Sequence, residues 1–246
     1  MEPQLQNWEN FCQYHAIGDW YGTWKKYSPT GEVIDAFQCV RSFHVSDDGN
    51  EIHHQNYYTY ADGKRESKNF GSYKKPLTRA LFLDNSFSWG STTVESGSNF
   101  GFETGFRYKD RRASVVVMYD DSGTFEYLIV IPEQLANFAE QSSSSLVNEF
   151  NENCQGIRKI ITPNWIVSSP VTPRWKGLED LDKNNLILHF TDGISISIPP
   201  HIKNRNEFCL VVDWLINSTL LQRGIRNYNN ESVFTGFTLE TFTVGN

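Results

Sequence analysis

The stretch FQCVRSFHVSDDGNEIHHQNYYTYADGKRES, residues 37–67, decides the fold. Two Asp-Gly pairs, Asp48-Gly49 and Asp62-Gly63, punctuate three runs rich in aromatic and β-branched residues. Such pairs mark hairpin turns, because tight loops need positive φ. Read as a two-residue loop, Asp48-Gly49 sets Val45 against Ile52, Phe43 against His54, Arg41 against Asn56 and Cys39 against Tyr58. Phe37 and Tyr60 fall on the same face, which is more apolar than the opposite one (His44, His53, Ser42, Gln55, Tyr57) and is assigned to the interior. Asp62-Gly63, read the same way, sets Tyr60 against Arg65 and Tyr58 against Ser67. That adds Arg65 and Ser67 to the interior and leaves Lys64, Glu66 and Lys68 in water.

Working outward, residues 5–16 have the spacing of a short amphipathic helix that ends at Gly18. Strands are expected at about 20–27, 33–45, 52–60, 64–72, 80–90, 100–108, 113–119 and 124–131. Eight strands joined by hairpins are the number that closes a small barrel and removes its edges. The fold class expected is therefore all-β: an antiparallel up-and-down meander closing into lipocalin-like barrels, with a short N-terminal helix and a helical linker. The first domain spans 1–135 and the linker 136–153, around the serine run Ser142–Ser145. The second β domain spans 154–246, a candidate degenerate repeat of the first. Its signal is Tyr119-Asp120-Asp121-Ser122-Gly123-Thr124-Phe125 against Tyr228-Asn229-Asn230-Glu231-Ser232-Val233-Phe234.

The net charge of −7 argues against a nucleic-acid binder or an electrostatic membrane-surface protein. Apolar runs such as Val115–Met118 are strand-length, so membrane insertion is not expected. Cys12, Cys39, Cys154 and Cys209 are scattered, without a C-x-x-C pair, and the N-terminus lacks a signal-peptide pattern. A cytoplasmic location follows as an expectation. His53 and His54 are adjacent on a strand and point to opposite faces, so no metal site is expected. No cofactor fingerprint is present, and the Arg111-Arg112 pair reads as a solvated turn.

An interior combining aromatics with Arg41, Arg65, His54 and Asn56 is unusual, because an unpaired buried charge costs on the order of a whole core side chain's burial or more. Three arrangements satisfy it: a different register, internal pairing with carboxylates such as Asp35 or Glu103, or a cavity holding a ligand with an acidic end.

Gly22-Thr23-Trp24, opening a strand just after a short helix, resembles the G-x-W signature of the lipocalin/calycin superfamily, in which the Trp plugs one end of the barrel. With Tyr58-Thr59-Tyr60-Ala61-Asp62-Gly63 and Gln222-Arg223-Gly224-Ile225-Arg226-Asn227-Tyr228, the chain resembles a cyanobacterial and plastid-lineage family of uncharacterised two-part β-barrel proteins, distantly similar to phycobiliprotein lyases. The nitrobindin pattern fails, because Trp24 is followed by Lys25-Lys26. The resemblance implies a calycin-like fold and no settled activity. The function expected is an intracellular carrier or chaperone for a hydrophobic small molecule, either tetrapyrrole-like or otherwise conjugated and acidic. The alternative is a barrel enzyme (cyclase, isomerase or chromophore lyase) with a protein acceptor if lyase-like. The ligand-binding residues expected are Trp24, Phe37, Arg41, Phe43, His54, Asn56, Tyr58, Arg65 and Ser67.

Overall fold

A computed structural model describes residues 2–139, 150–151, 153–202 and 206–244. An α-helix, α1 (Pro3–Tyr14), precedes β1 (Asp19–Tyr27), β2 (Val33–Val45), β3 (Glu51–Tyr60), β4 (Arg65–Lys74), β5 (Ala80–Leu83), β6 (Ser86–Gly90), β7 (Phe100–Tyr108), β8 (Arg111–Tyr119) and β9 (Phe125–Leu135). The second half supplies β10 (Gln155–Ile161), β11 (Leu186–His189), β12 (Ile194–Ile198), β13 (Phe208–Asn217), β14 (Leu220–Tyr228) and β15 (Phe234–Thr243). The strand expected at 80–90 is a hairpin turning at Asp84. β9 runs on to Leu135, past the end expected at about 131. Most of the expected helical linker, residues 140–149 and 152, lies outside the described residues.

All pairings between named strands are antiparallel, and the first nine strands form one sheet in the order β4-β3-β2-β1-β9-β8-β7-β6-β5. The sheet curls on itself: Arg41 on β2 reaches Glu103 on β7 at 3.2 Å, and the Tyr73 ring on β4 lies 5.1 Å from the Trp89 ring on β6. The barrel does not close by hydrogen bonds, because β4 and β5 are both sheet edges. On the β5 side the helix takes over the missing ladder. Asn7 donates to the Leu77 and Ala80 carbonyls and accepts from the Phe82 N–H, and Asn10 donates to the Phe82 carbonyl. These bonds satisfy edge groups that burial would otherwise leave orphaned. On the β4 side Lys64, Glu66 and Lys68 remain exposed, and charge protects that edge against pairing with other chains.

The β2–β3 register agrees with the sequence reading, from Phe37↔Tyr60 to Val45↔Ile52, although the loop has four residues. The β3–β4 register does not. Tyr60 N–H bonds the Lys64 carbonyl around a three-residue loop in which Gly63 takes φ +84°. An extra left-handed residue shifts the pairing by one. Arg65 therefore pairs with Thr59 and Ser67 with Tyr57, on the outer face. A bulge at Phe70 restores the original phase, so Tyr73 pairs with Ile52 on the inner side.

The remaining strands form a six-stranded sheet, β10-β15-β14-β13-β12-β11, packed against the outside of the barrel. It is open, not a second closed barrel. Its order retraces β1-β9-β8-β7-β6-β5, and the two Tyr-led turns share their bonding. Asp120 N–H bonds the Thr124 carbonyl and Asn229 N–H the Val233 carbonyl, with the Asp120 and Asn229 side-chain oxygens each accepting two later N–H groups. β8 is buried on both faces as a result. Ala113, Val115 and Val117 join Ile196, Val212 and Phe237 in the inter-sheet core, while Arg112, Val116 and Met118 face the barrel interior. This two-sided burial explains the unbroken Val115–Met118 run.

Gly22 sits where backbones approach closely. The β1–β9 ladder lacks pairs between Tyr21↔Gln134 and Lys25↔Val130, and Pro132, with no N–H to donate, lies in that gap. A Cβ on Gly22 would overlap the Pro132 carbonyl oxygen and come within 2.9 Å of Glu133 Cγ. Gly22→Ala should therefore destabilise the fold by about 1–3 kcal/mol, read as a lower urea midpoint. An unchanged midpoint would show that the strands can part without strain.

Candidate functional site

The barrel interior holds a cavity of about 810 Å³, within the range of about 300–1,000 Å³ typical of small-molecule pockets. Its exposed lining residues are Phe70, Ser72, Lys74, Pro76, Thr78 and Arg79, all on β4 or the link to β5. The mouth is thus lateral, at the unclosed seam. The opposite walls, Phe11, Phe43, Phe82, Phe87, Trp24 and Ile131, are buried.

Two arginines and two glutamates cross the interior. Arg112 contacts Glu133 at 2.6 and 2.8 Å, and Arg41 contacts Glu133 at 3.3 Å and Glu103 at 3.2 Å. Ser114 donates to Glu103 at 2.9 Å. Burial opposes the Arg41 charge, yet Glu133 and Glu103 outweigh it and hold its pKa above the ordinary arginine value. Burial pulls Arg112 down to about 10, which leaves it charged at neutral pH. Each guanidinium also lies over an indole: Arg41 over Trp24 at 4.7 Å and Arg112 over Trp20 at 4.8 Å.

A second polar chain runs along β3 and β4. His54 Nδ1 lies 2.8 Å from the Tyr73 hydroxyl, His54 Nε2 is 2.9 Å from Asn56 Oδ1, and Asn56 Nδ2 donates to the Tyr58 hydroxyl at 2.8 Å. Burial, then the Arg41 charge, lowers the His54 pKa to about 3, so the imidazole is neutral. With Nε2–H donating to Asn56, Nδ1 accepts from Tyr73. Directed this way, the chain leaves the Tyr58 hydroxyl proton uncommitted. The imidazole is stacked between Phe43 and Phe70, at 4.5 and 4.6 Å.

Two further groups on the cavity wall have unmet hydrogen-bonding capacity: Trp24 Nε1 and both ring nitrogens of His15 are buried without a partner. Complete burial, then the charges of Arg112, Arg107 and Arg41, holds His15 well below the usual histidine pKa.

Of the expected site residues, Trp24, Arg41, Phe43, His54, Asn56 and Tyr58 line the cavity. Phe37 packs on Trp24, Tyr58 and Tyr60 without reaching it. Arg65 and Ser67 are exposed, because the three-residue loop turns them outward. Arg112 was read as a solvated turn, but the turn falls at Lys109-Asp110 and Arg112 is the inward second residue of β8. Trp24 lies partway along the barrel. The end beside α1 is filled instead by Trp20, whose indole donates to the His15 carbonyl at 2.8 Å. Sequence reasoning also missed His15, Tyr73, Trp89 and Glu133. Only Glu133 carried a signal, its two-residue spacing from Ile131 and Ile129. His53 points outward, with its ring beside His44.

The buried histidines make stability depend on pH. Each has a folded pKa below its unfolded value of about 6.5, so the unfolded chain binds more protons once the pH falls below that value. Their contribution is intact above pH 6.5 and is lost as the pH falls from there, in the case of His54 toward about 3. At pH 5 each should cost about 2 kcal/mol relative to pH 8. Urea unfolding at the two pH values should show His54→Gln losing about 2 kcal/mol less than the parent chain. An equal loss in both would contradict this electrostatic assignment.

No curated protein matches the chain. The N-terminal model of the domain of unknown function DUF3598 matches residues 4–138. The C-terminal domain model named for biogenesis factor required for ATP synthase 1 matches residues 164–242. Among solved structures, a DUF3598 protein of unknown function from Nostoc punctiforme superposes with a TM-score of 0.77 at 22% identity, covering 97% of this chain and 99% of that one. At that identity the likeness speaks for the fold alone. A Bacteroides fragilis protein, 9% identical over 99% of this chain and 100% of its own, has a TM-score of 0.25 and carries no argument. With the N-terminal model spanning more than half of its length, this chain belongs to the DUF3598 family.

Proposed function

We propose that the protein is a carrier or chaperone that holds a hydrophobic, flat, conjugated small molecule inside the barrel. The observation that carries this reading is the aromatic-walled cavity of about 810 Å³ in which Trp24 Nε1 and the His15 nitrogens lack partners. A barrel selected only for stability would fill that volume with side chains, since interiors pack close to crystal density. The lateral mouth admits a ligand without unfolding the sheet, and Phe70 and Trp89 flank the entrance. The enzyme reading gains no comparable support. The Cys39 thiol is buried and pushed up to about 12, and His54 is held neutral between Tyr73 and Asn56.

The C-terminal match supports a second reading, in which the chain delivers its cargo to, or assists, a protein under assembly. That reading predicts a stable protein partner captured by cross-linking, with or without cargo.

Native mass spectrometry of protein purified from its own cells, with an absorption spectrum, tests the carrier reading. The expected result is a non-covalent mass excess that disappears on denaturation, with an absorption band beyond that of the aromatic residues. A bare chain mass and a protein-only spectrum in every preparation would contradict it.

A further inference from the structure

We infer that the part of the ligand that enters the barrel is uncharged and carries a hydrogen-bond acceptor, such as a carbonyl or ether oxygen, directed at Trp24 and Tyr58. This inference rests on the carrier reading above and specifies its ligand.

The interior arginines are already matched: Arg41 and Arg112 against Glu103 and Glu133. The remaining interior ionisable groups are held neutral, with His15 and His54 far below the usual histidine range and Tyr73 pushed up to about 12 by burial. A carboxylate brought in would add an unmatched negative charge beside two existing carboxylates, and a cation would meet two guanidinium groups. Either is penalised in a low-dielectric interior. An acidic group on the ligand is therefore left at the mouth, where Lys74 and Arg79 are exposed.

The hydrogen-bonding groups narrow the class further. Trp24 Nε1 can only donate, and it is buried without an acceptor. The Tyr58 ring lies 5.9 Å from the Trp24 ring, and its hydroxyl already accepts from Asn56, so its proton also points to an acceptor. Two donors on one wall, with no free carboxylate beside them, are complementary to a neutral oxygen.

Two fluorescent naphthalenes of the same 2,6-substitution test this. Prodan carries a neutral propionyl carbonyl where 2-(p-toluidino)naphthalene-6-sulfonate carries an anion. Binding of each is measured by emission shift, at one salt concentration, to the full chain and to Glu103→Gln. The expected result is at least tenfold tighter binding of prodan to the parent chain. In Glu103→Gln, whose interior gains a net positive charge, the sulfonate should bind at least fivefold tighter while prodan changes less than twofold. Equal affinity of the two probes for the parent chain, or a folded Glu103→Gln that leaves the sulfonate unchanged, would overturn the inference. If Glu103→Gln does not fold, the comparison on the parent chain still decides. Failure of both probes to bind would count against the carrier reading itself, a distinct outcome.

Discussion

The charge network of Arg41 and Arg112 against Glu103 and Glu133 links β2, β8, β7 and β9 across the inside of the barrel. Buried ion pairs contribute little net stability against apolar replacements, but removing one partner costs about 3–5 kcal/mol. The network thus works as a constraint: each member is needed because the others are there. Its geometry reaches back to the sequence at Gly22, where the missing side chain leaves room for Pro132 and Glu133. Trp20 and Trp24 bring their ring faces against the two guanidinium groups from the same strand. One strand therefore supplies both the space for the network and its aromatic cover.

The second sheet makes one side of the barrel stiff and leaves the other free. Arg226, fully buried, donates to Ser88 Oγ at 2.9 Å and the Ser91 carbonyl at 2.8 Å, and packs 3.9 Å from the Phe234 ring centroid. Phe106 and Trp214, and Phe102 and Tyr228, meet across the interface. β7 to β9 are packed on both faces, whereas β4 is exposed along nearly its whole length. Opening of the cavity is expected to fall where the fewest contacts must break, at the seam between β4 and β5.

Much of this was legible in residues 37–67. The Asp48-Gly49 loop has two more residues than a tight turn, but they are added symmetrically, so the facing pairs are the same. The Asp62-Gly63 loop adds a single residue, and one residue is enough to reverse the side chains of the following strand from Arg65 to Asn69, up to the bulge at Phe70. Asp-Gly is common to both loop types, which is why Arg65 and Ser67 were placed inside. Arg112 was misplaced for a related reason, since Lys109-Asp110 lacks the glycine that usually marks a turn. The open second sheet was hidden because the residue pattern of a strand does not say whether its sheet closes. What covers its other face, including Trp175 packed on Phe242, comes from irregular chain with no periodic signal.

The central claim is that the barrel interior, rather than the inter-sheet core or the surface, receives the ligand. The most direct test is the indole N–H signal of Trp24 in a ¹⁵N–¹H spectrum, identified by its loss in Trp24→Phe, during titration with prodan. A saturable downfield shift of that signal is expected, with Trp214 in the inter-sheet core unchanged. Saturation of prodan fluorescence with the Trp24 signal unmoved would contradict it.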